Sequence, residues 1–352
     1  MDTVFVGLSG GVDSAVSAYL LKKQGYNVVG AFIKGWEPDF LPCTGVRDRL
    51  ESMRVAAHLG IPFVTYDLSE EYKRGVVDYF VSEYKLGRTP NPDVMCNRVI
   101  KFGAFWEKAK ADGADMIATG HYVINSQLSG DASSDPKGSS SFQLSASKDK
   151  EKDQTYFLWT LTKDDLAHSL FPVGGLEKTA VRSLALEANL PNASRADSQG
   201  LCFLGHVDMH AFLKRYLPTE IGVVRDENGK SIGSHDGIWF YTLGQRHGFG
   251  SLGGERLYVV AKDRMKNELM VSTSSLGENA EKIFALTNES SVDGSPLVGK
   301  YLGRYRYRQA LLPVEIHGGQ ASFDTPQRIA SGQSLVVYDQ QGEIMHGGAI
   351  IE

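Results

Sequence analysis

Gly7-Leu8-Ser9-Gly10-Gly11-Val12-Asp13-Ser14 decides the reading of this chain. It follows Thr3-Val4-Phe5-Val6, a β-branched and aromatic run that predicts a buried strand. It leads into Ala15-Val16-Ser17-Ala18-Tyr19-Leu20-Leu21-Lys22, which predicts a helix with Asp13 or Ser14 near its N-terminus. A strand, a glycine-rich turn and a helix start make an anion site. The glycines admit close backbone approach, and the helix end presents N–H groups that lack an intrahelical partner. Asp13 and Ser14 add a carboxylate suited to magnesium and a hydroxyl donor. No lysine follows the last glycine, so this is not the Walker loop.

Outward from that stretch, the first third alternates two patterns. Asn27 to Ile33, Ile61 to Tyr66 and Asp115 to Thr119 predict strands; Val46 to Leu59, Glu70 to Tyr84 and Arg98 to Lys110 predict helices. This order predicts an α/β fold with a doubly wound parallel sheet, whose ligands sit beyond the carboxyl ends of the strands. Ser9, Ile33, Asp67 and Gly120 belong to that edge. Ser126 to Ser147 is rich in Ser, Gly and Asp and predicts a loop or a hairpin. Glu177 to Ala188 and Val207 to Tyr216 predict helices.

Beyond residue 219 the pattern becomes short strands separated by glycine turns, with a hairpin turn at Asp226-Glu227-Asn228-Gly229. The last hundred residues predict a small β-barrel. The expected division is an N-terminal catalytic domain over 1–205, a small central domain over 206–265 and a C-terminal barrel over 266–352. Gly248-Phe249-Gly250-Ser251-Leu252-Gly253 matches G-x-G-x-x-G, but no βαβ unit surrounds it, and it reads as a glycine-rich loop.

Composition narrows the class. The 352 residues carry a net charge of −5, so the chain is not a basic nucleic-acid protein, and any RNA site must be a local patch. No basic leader or long apolar run is visible, so no membrane association and a cytoplasmic location are expected. Three cysteines, Cys43, Cys96 and Cys202, form no C-x-x-C, which argues against a zinc ribbon. A lone cysteine is most often a small core hydrophobe, and Cys43 reads that way.

Cys96 and Cys202 sit in more distinctive settings. In Thr89-Pro90-Asn91-Pro92-Asp93-Val94-Met95-Cys96-Asn97, two prolines stiffen the backbone ahead of a helix. A helix N-terminus lowers a thiol's pKa. Equally, Asn91 or Asp93 reads as a cap with Cys96 buried behind it. In Arg195-Ala196-Asp197-Ser198-Gln199-Gly200-Leu201-Cys202-Phe203-Leu204, polar turn residues lead into a cysteine flanked by apolar ones, core or reactive.

The Ser-Gly-Gly-Val-Asp-Ser core resembles the pyrophosphate loop of enzymes that adenylate a substrate with ATP. Together with the two cysteine segments, Lys101-Phe102-Gly103, Ala118-Thr119-Gly120-His121-Tyr122, Lys152-Asp153-Gln154, Tyr241-Thr242-Leu243-Gly244-Gln245-Arg246 and Arg306-Tyr307-Arg308-Gln309, it makes the chain resemble the tRNA-specific 2-thiouridylases over nearly its full length. The resemblance implies ATP binding by Gly7, Leu8, Ser9, Gly10, Gly11, Val12, Asp13 and Ser14, with Ile33 and Gly120 bordering the nucleotide and magnesium offsetting phosphate charge. It implies adenylation of the C2 oxygen of the wobble uridine, framed by Asn91, Pro92 and Asp93, with Asp93 as general acid or base. Cys202 would carry a persulfide sulfur that attacks C2 or is released as sulfide for that attack, and Cys96 would resolve the persulfide through a transient Cys96–Cys202 disulfide.

The implied partners are wobble-uridine tRNAs, with Lys, Glu and Gln acceptors expected, and a persulfide sulfur donor that is either a relay protein or a cysteine desulfurase. Lys152, Asp153, Gln154, Arg306 and Tyr307 would hold the tRNA. In a strand, the alternation Arg304-Tyr305-Arg306-Tyr307-Arg308 sends arginines to one face and tyrosines to the other. Lys178, Arg182, Lys214 and Arg215 read as charges on solvated helix faces, with RNA contact open to them. Where the family commonly has arginine after Gly-His-Tyr, this chain has Val123-Ile124. The alternative is another pyrophosphate-loop adenylating enzyme, such as an amidating synthetase or lysidine synthetase, which needs an amine in place of the thiols.

Overall fold

A computed structural model describes residues 1–40, 45–128, 141–197, 208–246, 256–274 and 280–352. Cys43, the Ser198–Leu204 half of the second cysteine motif with Cys202, and the Gly248–Gly253 match lie outside the described residues.

Strands are numbered along the chain. β1 (Thr3–Gly7), β2 (Asn27–Lys34), β3 (Phe63–Asp67) and β4 (Met116–Ala118) are parallel neighbours in a sheet completed by a short fifth strand. β5 (Val123–Leu128) and β6 (Ser141–Ala146) form a hairpin that leaves this sheet, and β7 (Ser169–Leu170) returns to pair with β4. The order is β3-β2-β1-β4-β7. The chain therefore winds outward from β1 in one direction and then in the other. The reversal falls between β1 and β4, and open α/β sheets place their ligands at such a point, beyond the carboxyl edge.

Alternation along β1 makes the sheet a sandwich filling. Val4 and Val6 face a core shared with the helices 12–23, 45–59 and 178–187; Phe5 faces the opposite core, with the helical runs 69–85 and 92–111. Both faces are covered, which is why β2 reads as the nearly continuous apolar run VVGAFI.

β8 (Gly222–Arg225), β9 (Ser231–His235), β10 (Tyr258–Asp263) and β11 (Glu268–Ser272) form a four-stranded sheet. The β10–β11 hairpin carries that sheet continuously across residue 265. Gly229, in the predicted hairpin turn, has φ of 77°, a conformation glycine adopts without steric cost.

The remaining strands are β12 (Glu281–Ser291), β13 (Gly299–Arg304), β14 (Leu312–His317), β15 (Gln320–Gln327), β16 (Ser334–Tyr338) and β17 (Ile344–Ile351). They pair antiparallel in the order β12-β15-β14-β13-β16-β17, and β12 pairs again with β17, so the six close into a barrel with no free edge. The β5–β6 hairpin of the first domain adds to the barrel at β17, through Met345 opposite Leu144. The low-complexity stretch after residue 125 thus supplies the arms that fasten barrel to sheet.

One local prediction is corrected. β13 ends at Arg304, and residues 305–308 are a bend in which Arg308 has φ of 61°. Arginines and tyrosines therefore do not sort onto two strand faces. Arg304 is buried and ion-paired with Asp153, and Tyr305 is also buried.

Candidate active site

The glycine-rich stretch is the loop leaving β1, and the helix Val12–Lys23 begins directly after it. Gly11 is the N-cap and has no side-chain cap, so the first-turn N–H groups are left to other acceptors. The loop is braced from within and from behind. Ser9 N donates to Ser14 Oγ at 3.2 Å, and Ser14 Oγ donates to the Gly11 carbonyl at 3.2 Å. Asn192 Nδ2 donates to the carbonyls of Gly10 and Gly11 at 2.8 and 3.0 Å, and Arg195 donates to Gly10 O at 3.2 Å. Arg195 is in turn ion-paired with Asp48. Gly10 has φ of 76°, and a Cβ there would lie 2.7 Å from the Arg195 guanidinium and 2.9 Å from Asp48 O. With the carbonyls held from behind, the loop is fixed before any anion reaches it.

Asp13 is part of a charged cluster. Its Oδ1 accepts from Tyr122 OH at 2.8 Å and from Lys178 Nζ at 2.6 Å. Lys178 also pairs with Asp197 at 2.8 Å, and Asp197 receives Lys152 at 2.7 Å and Arg182. Burial raises the Asp197 carboxyl, but hydrogen bonds and charge from Lys152 and Lys178 outweigh it and hold the group well below the usual carboxylate range. Burial, reinforced by the Asp13 charge, pushes the Tyr122 phenol up, so it donates its proton to Asp13 throughout the neutral range. Lys178 and Arg182 are thus not solvated-face charges. Their i,i+4 spacing puts both on one side of the helix Lys178–Glu187, the sequence signal that marks them as a pair. Lys214 is likewise paired, with Asp236, and Arg215 lies 5.1 Å over the Phe40 ring.

The element that carries Cys96 reaches the same edge of the sheet, where Lys101 meets His121. Asn91 is an N-cap whose Oδ1 accepts from Asp93 N at 3.0 Å and Val94 N at 3.4 Å, and Pro92 occupies the first helical turn. Cys96 follows one turn later and is fully buried. Residues 96–104 form a wide helical turn in which Phe105 N reaches back five residues to Ile100 O. The lead-in is gripped by the barrel segment 331–333 and by Thr242 ahead of β10. Thr89 N donates to Ser331 O at 2.7 Å, Gln333 Nε2 donates to Thr89 O at 2.8 Å, and Thr89 Oγ1 lies 3.3 Å from Thr242 Oγ1.

Short contacts connect the two elements. Gly120, in the loop leaving β4, lies against Ser14 N and the Asp13 backbone. Next to it, His121 Nδ1 lies 2.7 Å from Thr119 Oγ1, and His121 Nε2 lies 3.3 Å from Lys101 Nζ, on the helical run of Cys96. Burial, helped by the Lys101 charge, pulls the His121 pKa well below its ordinary value. The ring is therefore neutral. An ammonium can only donate, so Nε2 accepts from Lys101 and Nδ1–H donates to Thr119.

The other expected residues are spread around this centre. Ile33 is buried at the end of β2. Gln154 Oε1 accepts from Tyr122 N at 2.9 Å, and Asp153 is buried with Arg304, Thr155 and Tyr338. Arg306 lines a cavity of about 280 Å3 together with Thr242, Gln245 and Gln333. Tyr307 packs on Phe157 at 4.6 Å between ring centres, and Phe157 O accepts from Asn97 beside Cys96. Residues 198–207 follow directly from Asp197, but Cys202 and its relation to Cys96 lie outside the described residues.

A braced glycine loop at the switch point of a parallel sheet, with charged groups converging on its aspartate, defines an ATP-pyrophosphatase-type nucleotide domain carrying a β-barrel. Two family models match: one described as the tRNA methyl transferase HUP domain over residues 2–206, the other as the tRNA methyl transferase PRC-barrel domain over 210–273. The chain is 43% identical over 99% of its length to a protein of Exiguobacterium sibiricum named tRNA-specific 2-thiouridylase MnmA, covering 94% of that protein. Proteins of that name from Listeria monocytogenes and Lysinibacillus sphaericus are each 42% identical, again over 99% of this chain and 94% of theirs. The chain belongs to the tRNA-specific 2-thiouridylase family. The methyl-transferase wording of the domain models is the less specific label, because the full-length relatives carry the thiouridylase name.

Proposed function

We propose that this protein converts the wobble uridine of tRNA to 2-thiouridine in an ATP-dependent reaction. The observation that carries the reading is the chain of contacts from the glycine loop to the Cys96 helix, Ser14–Gly120 and Thr119–His121–Lys101. A phosphate site and a thiol-bearing helix share one edge of one sheet. An amidating synthetase or lysidine synthetase has no need of the cysteines.

In this reading Gly7 to Ser14 hold the ATP phosphates, with Ile33 and Gly120 beside the nucleotide. Magnesium fits the site in part. Among the described residues there is no group of three metal-ligating side chains, but a magnesium carried on ATP takes only one or two carboxylates plus phosphate oxygens. Asp13, in the first turn of the loop helix, would be the carboxylate that holds it. The ion would supply charge neutralisation on the phosphates.

The uridine O2 attacks the α-phosphate, and the bond to the leaving pyrophosphate breaks. The terminal sulfur of a Cys202 persulfide attacks C2 and AMP departs. The Cys96 thiolate then attacks the Cys202 sulfur, the thiolated uridine leaves with the bond's electron pair, and a Cys96–Cys202 disulfide remains for reduction. Asn91, Pro92 and Asp93 would frame an extruded base, with Asp93 moving protons near it. Arg306 in its cavity, Tyr307, Lys152, Asp153 and Gln154 form the proposed tRNA contacts. The partners are tRNAs for Lys, Glu and Gln and a persulfide donor.

The test is nucleoside analysis of a wobble-uridine tRNA after incubation with the protein, ATP, magnesium and sulfide. ATP-dependent 2-thiouridine is the expected product. Pyrophosphate release that needs tRNA but yields no thiolated base would move the reaction to another nucleophile. Normal thiolation by Cys202→Ser with a physiological donor would remove the persulfide step.

A further inference from the structure

The adenylation reading leaves the most enclosed cation of the charged cluster without a task. The Lys178 side chain is 14% exposed, and its ammonium is shared between Asp13 and Asp197 at 2.6 and 2.8 Å. Lys178 is the first residue of its helix, where a cation opposes the helix dipole, so the local helix gains nothing from its charge. The stem is held in place all the same. Lys178 N donates to Asp149 Oδ2 at 2.9 Å, and the ammonium lies 5.9 Å from the Tyr122 ring centre. Lys152 and Arg182 also pair with Asp197, so Asp197 stays compensated when Lys178 turns away from it. Lys178 itself stands beside Asp13, in the first turn of the phosphate-loop helix.

We propose that Lys178 is the cation that takes up the charge of the leaving pyrophosphate, with Asp197 as the positioning residue that aims it. The proposal rests on the adenylation reading. As uridine O2 bonds to the α-phosphorus, the bond from that phosphorus to the bridging oxygen breaks, and its electron pair stays on pyrophosphate. The Lys178 ammonium keeps its proton and stabilises the added negative charge, which is larger in the transition state than in bound ATP. A lysine suits the task because a compact ammonium on a flexible stem can turn from carboxylate to phosphate. Asp197, already ionised, returns it to the loop once product leaves.

The experiment titrates inorganic pyrophosphate with magnesium, and separately AMP, into the wild type, Lys178→Gln and Lys178→Arg. It also measures tRNA-dependent pyrophosphate release from ATP. Gln keeps amide donors for both carboxylates while removing the charge. Lys178→Gln is expected to weaken pyrophosphate at least tenfold, leave AMP within twofold, and lower kcat for pyrophosphate release about 100-fold. Lys178→Arg should recover most of each loss. Unchanged pyrophosphate affinity, or pyrophosphate and AMP weakened alike, overturns the proposal and returns Lys178 to a structural role. Asp197→Asn leaves Lys178 in place and serves if the Gln variant does not fold: pyrophosphate should weaken at least threefold with AMP unchanged, and equal affinities again overturn the assignment. A wild type that releases no pyrophosphate with ATP and tRNA sinks the adenylation reading itself, a result distinct from normal release in both wild type and Lys178→Gln.

Discussion

Gly120 lies against the backbone of Ser14 so closely that a Cβ at residue 120 would sit 2.7 Å from Ser14 N and 2.9 Å from the Asp13 carbonyl carbon. The contact joins the loops leaving β1 and β4 at the point where the strand order reverses. Neither backbone can yield easily, because Ser17 Oγ donates to Asp13 O at 2.9 Å and also reaches Thr119 O at 3.4 Å. Gly120→Ala is expected to push the loop off its anion-binding geometry and weaken ATP at least tenfold, with the melting temperature shifted by only a few degrees. Calorimetric titration of ATP checks it, and an unchanged affinity would mean the loop adapts.

The Arg304–Asp153 pair joins the first domain to the barrel. Its side chains are 11% and 5% exposed, and Arg304 Nη2 also donates to Tyr338 OH at 2.6 Å. Removing one partner strands a buried charge, so Arg304→Met should cost about 3–5 kcal/mol in urea unfolding. The double variant Arg304→Met with Asp153→Leu should cost less than the sum of the single changes. Asp153 is also a proposed tRNA contact, so Asp153→Asn should lower tRNA affinity, and an unchanged affinity would leave the carboxylate to the ion pair with Arg304 alone.

Lys262 ties the central sheet to the end of the helix Tyr79–Lys85. Its ammonium donates to Gly87 O at 3.1 Å and Tyr241 O at 3.0 Å, and burial, joined by the Arg264 charge, pulls its pKa down to about 8. Between that value and the unfolded 10.5, the unfolded chain holds a proton that the folded chain does not. Stability should therefore rise from pH 8 toward 10.5, relative to Lys262→Met, and the advantage should vanish as pH falls through 8. Melting temperatures of the two proteins across that window decide it. Parallel curves would show that Lys262 keeps its ordinary pKa.

His121 should not titrate near neutrality. Its folded pKa lies well below the ordinary 6.5, so it contributes stability that is present above 6.5 and lost as acid takes pH down toward the folded value. Nitrogen NMR should show Nδ1 protonated and Nε2 bare from pH 6 to 8. A ring that titrates near 6.5 would contradict the acceptor role toward Lys101.

Arg306 faces the cavity beside Thr242 and Gln333, the residues that hold Thr89. If it meets a tRNA phosphate, Arg306→Ala should lower affinity and reduce the salt slope by about one. An unchanged slope would leave it a cavity-wall residue.

Much of this was legible in the chain because local rules governed it. Asn91 as a cap with Pro92 in the first turn is a local helix-start signal, and the glycines of 7–14 between strand and helix patterns are a local signal for an anion loop. The bend at 305–308 was not legible. A run of alternating arginines and tyrosines satisfies strand periodicity, yet the strand ends at Arg304, whose side chain is buried on Asp153, 151 residues away in sequence.

The sequence alone determined the parallel α/β domain, the phosphate loop, the helix start ahead of Cys96 and the membership in the family, since each rests on residue type and short spacing. The tertiary structure decided which charges work together. Lys178, Arg182 and Asp197 lie more than 160 residues beyond Asp13, and Gly120 more than 100 beyond Ser14. Periodicity says that a side chain is polar or that a turn is tight. Only the packing of helices around a sheet that reverses between β1 and β4 brings these groups within hydrogen-bonding distance.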